Sequence, residues 1–365
     1  MTARCGEARA GVVHTARGPF RTPCFMPVGT RGTVRALTAS DVESLGYEVV
    51  LANTYHLMLR PGAETIGRLG GIHAFAGWDR HVLTDSGGYQ VFSLAPKVDD
   101  DGVTFRSTYD GSWHRLTPAD AVRTQEVIGS DIQMVLDVCP PLPAPPEVLT
   151  RAVERTAAWA ARARGTHSRA GQALFGIVQG GTDPSLRVRS ARATVALDFD
   201  GYGIGGLSVG EPRADMLGAL DATVPELPPD RPRYLMGVGD PVGLVEAVAR
   251  GVDMFDCVLP TRLGRHGTAL TGSGRLSLKG AALAADPGPV DPACACPVCA
   301  RWSRGFLRHL LSVDEPAAAR MVSIHNLAWT RALMDRIGAA VAAGTLSDLR
   351  DEVAAAWERG PEVPV

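Results

Sequence analysis

Asp253-Met254-Phe255-Asp256-Cys257-Val258-Leu259 is a short apolar run that carries a carboxylate near its end, and Pro260-Thr261-Arg262-Leu263-Gly264-Arg265 follows it with two guanidinium groups. A strand that ends in an acid and leads into a basic turn suits chemistry on a phosphate-bearing substrate. The carboxylate can attack or carry a proton while the arginines hold phosphate oxygens. Other apolar runs end in polar or small residues in the same way, at Asn53, Asp85-Ser86, Asp137, Gln179, Gly206-Leu207 and Met236-Gly237. If one architecture collects those ends, three carboxylates (Asp85, Asp137 and Asp256) share a single mouth.

A second cluster reads as a metal site. Cys294, Cys296 and Cys299 form C-x-C-x2-C, and His325 follows on a helical stretch. Three thiolates and an imidazole make a closed tetrahedral zinc site of the structural kind, with no position left for water. A zinc deaminase also uses P-C-x-x-C, but no H-x-E precedes this cluster. Cys5, Cys24, Cys139 and Cys257 are scattered and read as small buried residues. Seven cysteines, three of them within six residues, fit a reduced compartment with a metal better than a disulfide framework.

The elements that must position these residues follow from periodicity. Eight apolar runs, Cys24–Val28, Glu48–Asn53, His81–Asp85, Ile132–Asp137, Ala173–Gln179, Gly201–Gly206, Tyr234–Val238 and Met254–Leu259, read as parallel strands. Helical segments alternate with them: Ala36–Leu45, Pro118–Ile128, Pro145–Arg164, Pro184–Leu197 and Val242–Arg250. The alternation predicts a (β/α)8 barrel of the α/β class, a TIM barrel, with its site at the C-terminal ends of the strands. A doubly wound open sheet is the alternative, disfavoured because no G-x-G-x-x-G follows an early strand. Residues 1–265 form the expected barrel, with a small β insertion near 95–116. Residues 266–330 form an expected zinc-binding subdomain, and 331–365 expected C-terminal helices packing on the barrel. Helices are expected at Ala317–Leu333 and Met334–Ala343, after an apolar stripe of Trp302, Phe306, Leu307, Leu310 and Leu311.

Charge is almost balanced, 37 basic against 39 acidic residues, so a wholly basic nucleic-acid coat is excluded. A local patch is not. Leu259–Leu310 holds seven Lys/Arg (Arg262, Arg265, Arg275, Lys279, Arg301, Arg304, Arg308) against Asp286 and Asp291. Neither a signal-peptide pattern nor a run of about 18 apolar residues is present, so a cytoplasmic location is expected.

Several motifs stand in order: FMPVGT (Phe25–Thr30), NTYHLMLRPG (Asn53–Gly62), LTDSGGYQVFSL (Leu83–Leu94) and FGIVQGG (Phe175–Gly181). GIGGLSVGE (Gly203–Glu211), YLMGVG (Tyr234–Gly239), MFDCVLPTR (Met254–Arg262) and the CxCxxC with its distant His complete the set. From about residue 10 to about 355 the chain resembles the bacterial form of tRNA-guanine transglycosylase. That resemblance implies exchange of the guanine at the anticodon wobble position of tRNA for a 7-deazaguanine, without breaking the RNA backbone. It implies Asp256 as nucleophile on the ribose anomeric carbon and Asp85 as general acid/base. Asp137, Gln179, Gly206 and Leu207 then contact the base, Tyr89 and Met236 sandwich it, and Arg262 and Arg265 hold the anticodon loop. Cys294, Cys296, Cys299 and His325 fall on the family's zinc ligands, and a homodimer is implied.

The chain departs from the family pattern at Val138, where bacterial relatives carry Glu, and at Ser208, His266 and Arg308. Val209 favours the compact entering base 7-aminomethyl-7-deazaguanine, the queuosine precursor. A long C-terminal RNA-binding extension of the archaeal kind is not seen, which speaks against the archaeosine reaction. The competing readings are a non-catalytic tRNA-binding subunit, expected to lose the paired acids, and a generic barrel glycoside hydrolase, which accounts for neither the cysteines nor the basic patch.

Overall fold

Eight parallel strands close on one another in chain order in the computed structural model, which describes residues 1–94 and 96–357. They are β1 (Cys24–Gly29), β2 (Val49–Ala52), β3 (His81–Thr84), β4 (Ile132–Met134), β5 (Ala173–Val178), β6 (Gly201–Ile204), β7 (Arg233–Leu235) and β8 (Met254–Cys257). β8 pairs with β1 from Met254↔Cys24 to Cys257↔Pro27, and that register seals the barrel. The doubly wound alternative is thereby excluded. Runs such as β3, β4 and β6 are buried along their whole length, as expected of parallel strands covered on both faces.

The intervening helices begin where local chemistry starts them. Thr117 caps Pro118–Ile128 through a capping box with Asp120, Pro118 lies in the first turn, and left-handed Gly129 ends the helix. Asp183 caps Pro184–Val195, and Asp240 caps Pro241–Ala249. The insertion is a three-stranded antiparallel sheet of Lys97–Val98, Val103–Arg106 and Trp113–Leu116; Ala95, its expected start, lies outside the described residues.

Three features differ from the sequence reading. Beyond β8 the chain forms a short helix, Leu259–Arg265, rather than a turn broken at Pro260. Proline is tolerated in a first turn, where its missing N–H costs nothing. The two helices expected across 317–343 are one continuous helix, Pro316–Ala343, which runs through residue 330, the expected end of the metal-binding segment. No glycine or proline interrupts it between Ala317 and its last turns, apart from Gly338. Lastly, an antiparallel sheet of Ala3–Cys5, Ala8–Thr15 and Gly18–Thr22 covers the N-terminal end of the barrel, an element with no counterpart in the expected set. It is tied there by buried Arg9, whose Nε donates to Asp253 Oδ1 at 2.8 Å, and by Arg17, whose Nε donates to Asp131 Oδ1 at 2.8 Å.

The hydrophobic core is continuous from the barrel into the C-terminal helix, where Val322, Leu327, Leu333, Met334 and Ile337 are buried. Leu346–Trp357 follows, and the last residues of the expected C-terminal segment, 358–365, lie outside the described residues. No helix of the described residues is long and apolar enough to cross a membrane.

Candidate active site and metal centre

Asp256 lies within β8 and is held from two sides. Tyr234 of β7 donates its hydroxyl to Asp256 Oδ1 at 2.6 Å, and the Gly237 N–H donates to the same oxygen at 2.9 Å. Oδ2 carries none of these bonds. Burial pushes the Asp256 carboxyl above its usual range, while Tyr234 and Gly237 pull it back. Burial also raises the Tyr234 hydroxyl, with the Asp256 charge adding to the effect, so the phenol stays a donor.

Asp85 follows β3 directly. Its Oδ2 accepts from Asn53 Nδ2 at 2.5 Å, and its Oδ1 accepts from the Thr54 and Gly87 N–H groups at 2.9 and 3.1 Å. Burial pushes the carboxyl up to about 7, against the Thr54 and Gly87 bonds, and the Asp256 charge pushes the same way. The two acids are therefore within electrostatic reach and differently supported. Gly87 is glycine for a reason: φ is +77°, and a Cβ would stand 2.9 Å from the Tyr55 nitrogen.

Asp137, beyond β4, accepts from Gln179 Nε2 at 2.6 Å. Burial pushes it up to about 6 despite that bond. Gln179 Oε1 is buried without a partner, an acceptor left unmet at the mouth. Gly206 closes against the same amide, since a Cβ on it would meet Gln179 Oε1 at 2.2 Å. A Cβ on Gly88 would stand 3.2 Å from Asp137 Oδ1, which joins the Asp85 loop to this pocket. Leu207 is buried, Met236 is half-buried, and Tyr89 is 60% exposed at the rim. A carboxylate, an amide with a free acceptor, and apolar surfaces form a niche for a flat heterocycle with N–H groups on one edge. Next to it, Glu211 accepts from the Ser208 and Val209 N–H groups, Ser208 sits at φ +60°, and the Val138 N–H donates to Thr156 Oγ1 at 3.0 Å.

Arg262 and Arg265 lie in the last turn of Leu259–Arg265, three residues apart and so on one face. Burial and the charges of Arg35 and Arg262 hold the Arg265 guanidinium below its usual range; burial acts likewise on Arg275, where Arg262 again contributes. Arg35, Arg265 and Arg275 thus each lie within electrostatic reach of another arginine of this group, on and around the helix that follows β8. The helix is fixed from behind: Asn326 Nδ2 donates to Pro260 O and Thr268 O, both at 2.9 Å, and Asn326 Oδ1 accepts from Leu270 N at 2.8 Å.

The residue before Asn326 is His325, and here the cysteines converge. One donor atom from each of Cys294, Cys296, Cys299 and His325 lies within 4.8 Å of every other. His325 Nδ1 is 3.5 Å from Cys296 Sγ and 3.3 Å from Cys299 Sγ. A tetrahedral zinc bound by one nitrogen and three sulfurs has N···S edges of about 3.5 Å, so the donor set fits. His325 Nε2 lies 2.8 Å from Leu270 O, where it donates and leaves Nδ1 as the ligand. The Cys299 and Asp291 N–H groups donate to Cys296 Sγ and Cys299 Sγ at 3.4 and 3.5 Å, supporting thiolates.

All four expected metal ligands are thus together, and the expected carboxylates and base contacts line the C-terminal mouth. Two supporting residues have no role in the sequence reading. Tyr234 reads there only as part of a strand, although an aromatic hydroxyl one residue before the end of β7 is a usable signal. Arg187, inside Pro184–Val195, falls within an expected helix and is not singled out there.

Barrel, paired acids and metal-binding cluster define a (β/α)8-barrel enzyme whose chemistry sits at the strand ends. The chain belongs to the queuine tRNA-ribosyltransferase family, whose model matches residues 4–359. It is 52% identical to a queuine tRNA-ribosyltransferase of Pelotomaculum thermopropionicum over 94% of either chain. Identity to the protein of that name from Moorella thermoacetica is 53%, covering 95% of this chain and 93% of the relative. With the one from Rhizobium meliloti it is 49%, covering 100% and 98%.

Proposed function

We propose that this protein is a tRNA-guanine transglycosylase that replaces the wobble guanine of tRNA anticodons with 7-aminomethyl-7-deazaguanine in queuosine biosynthesis. The observation that carries the reading is the pair of buried acids in one mouth, Asp256 anchored by Tyr234 and Asp85 pushed up to about 7. Asp256 attacks the ribose anomeric carbon while Asp85 gives its proton to the departing guanine; the glycosidic C–N bond breaks and a glycosyl-aspartate ester forms. The entering base then loses its ring N–H proton to Asp85, its nitrogen attacks the same carbon, and the ester breaks to free Asp256. Two displacements return the original configuration.

Within this reading Asp137 accepts from the N–H edge of the base, Gln179 and the Gly206 N–H serve its carbonyl, Leu207 contributes backbone, and Tyr89 and Met236 cover its faces. The base must leave the anticodon stack to reach this depth. Arg262 and Arg265 hold the loop phosphates. Zinc is the metal that suits the Cys294, Cys296, Cys299 and His325 set, one per subunit, in a structural role. The barrel of residues 1–265 is the catalytic unit, 266–330 the zinc-binding unit and 331–365 the C-terminal helices that pack on the barrel, in a cytoplasmic homodimer.

Incorporation of labelled guanine into unmodified tRNA, with 7-deazaguanine bases as competitors, tests the reading; no label in tRNA would sink it. The ordering of the competitors identifies the entering base, at a pocket edge where Val138 and Ser208 depart from the family pattern.

The Asp85 carboxyl gives a pH dependence. Free enzyme with Asp85 protonated is the form that releases guanine, so kcat/KM for tRNA falls as pH rises above about 7. Stability follows the same sign. A raised folded-state value favours the fold fully below about 3.8 and loses that contribution as pH rises through about 7. Asp85→Asn therefore unfolds at a higher temperature than the parent at pH 8 but not at pH 4, measured by thermal melts, and loses most of its exchange activity. Equal melting shifts at both pH values would contradict the assignment.

Replacing Arg262 or Arg265 with Ala weakens tRNA binding and lowers the slope of log affinity against log salt by roughly 0.7 to 0.9 for each phosphate the side chain neutralises. Fluorescence titrations at several salt concentrations read that slope, and an unchanged slope would remove the residue from the RNA interface.

A further inference from the structure

Arg187 is fully buried, yet its guanidinium meets main-chain carbonyls rather than a carboxylate. Nε donates to Gly181 O at 2.6 Å, Nη1 to Gly205 O at 2.8 Å and Val178 O at 3.3 Å, and Nη2 to Gly206 O at 3.2 Å. These carbonyls belong to the ends of β5 and β6, on either side of the Asp137–Gln179 niche. A buried cation is costly, and a planar five-donor fork is the side chain able to meet several fixed carbonyls at once.

Peptide geometry turns this contact into a statement about the site. In a trans peptide the C=O and the following N–H point in opposite directions. Arg187 holds the Gly205 carbonyl, so the Gly206 N–H in the same peptide is aimed away from the guanidinium. It holds the Gly206 carbonyl as well, which turns the Leu207 N–H outward in the same sense. On the side away from the guanidinium lies the niche, which Gly206 abuts: a Cβ on it would meet Gln179 Oε1 at 2.2 Å. Within the niche, burial and then the Asp137 charge push the Cys139 thiol up to about 12. The cradle also needs its glycines: Gly206 has φ +67°, and a Cβ on Gly205 would lie 2.9 Å from Gln179 Nε2.

We infer that Arg187 is a positioning residue that locks the Gly205–Gly206 peptide so that the Gly206 N–H is presented as a donor to the carbonyl oxygen of the bound purine. This rests on the base-exchange reading above and adds to it the residue that sets recognition of a 6-oxo purine. Glu211 takes the neighbouring Ser208 and Val209 N–H groups, so the two halves of the turn are held by separate side chains of opposite charge.

The test compares guanine with 2-aminopurine, which lacks the carbonyl oxygen, as competitors for base exchange in unmodified tRNA. In Arg187→Lys, which keeps a charge but not the fork, the KM for guanine rises about tenfold or more, a lost hydrogen bond to a buried group being worth roughly that factor. Its preference for guanine over 2-aminopurine shrinks by a similar factor, while the Kd for tRNA stays within about twofold. A folded Arg187→Lys enzyme with the parent's guanine KM and the parent's preference overturns the inference. Should that variant not fold, the unaltered enzyme still tests the donor that Arg187 is inferred to present. With glycine labelled by 15N, the Gly206 amide proton moves downfield on adding guanine and not on adding 2-aminopurine, and equal shifts would refute the donor role. Absence of guanine exchange in the parent would instead defeat the proposed function and is read in a separate arm.

Discussion

Asp256→Ala and Asp256→Asn lose guanine exchange by at least about 10⁴-fold, the scale expected when the attacking group of a covalent mechanism is removed. The fold survives the change. Asp256 is a buried carboxylate whose pKa is raised chiefly by burial, so its charged form is a cost to the native state at neutral pH, offset by the Tyr234 and Gly237 bonds. Asparagine removes the charge and keeps an acceptor for both donors. Thermal melts at pH 7.5 therefore place Asp256→Asn at or above the parent, and metal content stays unchanged. The parent, trapped with tRNA and denatured, carries a tRNA adduct on a gel; the variants carry none. An Asp256→Ala enzyme that still exchanges guanine would move the nucleophile elsewhere, and Asp85 is the neighbouring acid with the standing to replace it.

Cys296→Ser, or extraction of the metal by a strong chelator, produces the second large effect. Structural zinc sites of this ligand type contribute on the order of 10 kcal/mol of apparent binding energy to local folding. Here that energy is coupled to RNA binding by a short chain of contacts. A metal held by the cluster would fix His325; Asn326 follows it and holds Pro260 O, in the first turn of the helix that bears Arg262 and Arg265, and Thr268 O beyond its end. Loss of metal thus lowers the melting temperature and weakens tRNA binding, while the niche around Asp137 and Gln179, built on strands β4 to β6, keeps its geometry. Metal analysis, melts and tRNA titration read the three effects separately. Normal metal content in Cys296→Ser would contradict its role as a ligand, and tight tRNA binding by the metal-free protein would break the proposed coupling.

Much of the site is legible in one dimension because it is written at strand ends. A parallel strand in a barrel is a short apolar run, and the residue after it stands at the mouth, so Asp85, Asp137 and Gln179 announce themselves by ending such runs, and Asp256 by interrupting one near its end. The metal ligands are legible because three thiols within six residues have few other uses. Less legible is anything that acts through the backbone or across strands. Arg187 looks like surface until its helix is packed on β5, and Tyr234 looks like core until β7 is laid beside β8. The stretch after Pro260 reads as a turn, although proline also suits a helix's first turn; packing against Pro316–Ala343, where a Cβ on Gly264 would meet Ser323 N at 2.7 Å, makes it a helix.

By itself, then, the amino-acid sequence determined the eight barrel strands and pointed to the candidate acids and the candidate ligand set, since apolar periodicity and ligand spacing are local properties of the chain. Tertiary structure decided how those groups are supported and charged. Which acid is anchored by a phenol and which is raised to about 7, which carbonyls Arg187 holds, and how the Cys3His cluster far along the chain is joined to the arginine helix all depend on burial and on contacts between distant segments. Desolvation and hydrogen-bond direction exist only once the chain has closed on itself, and no residue carries them alone.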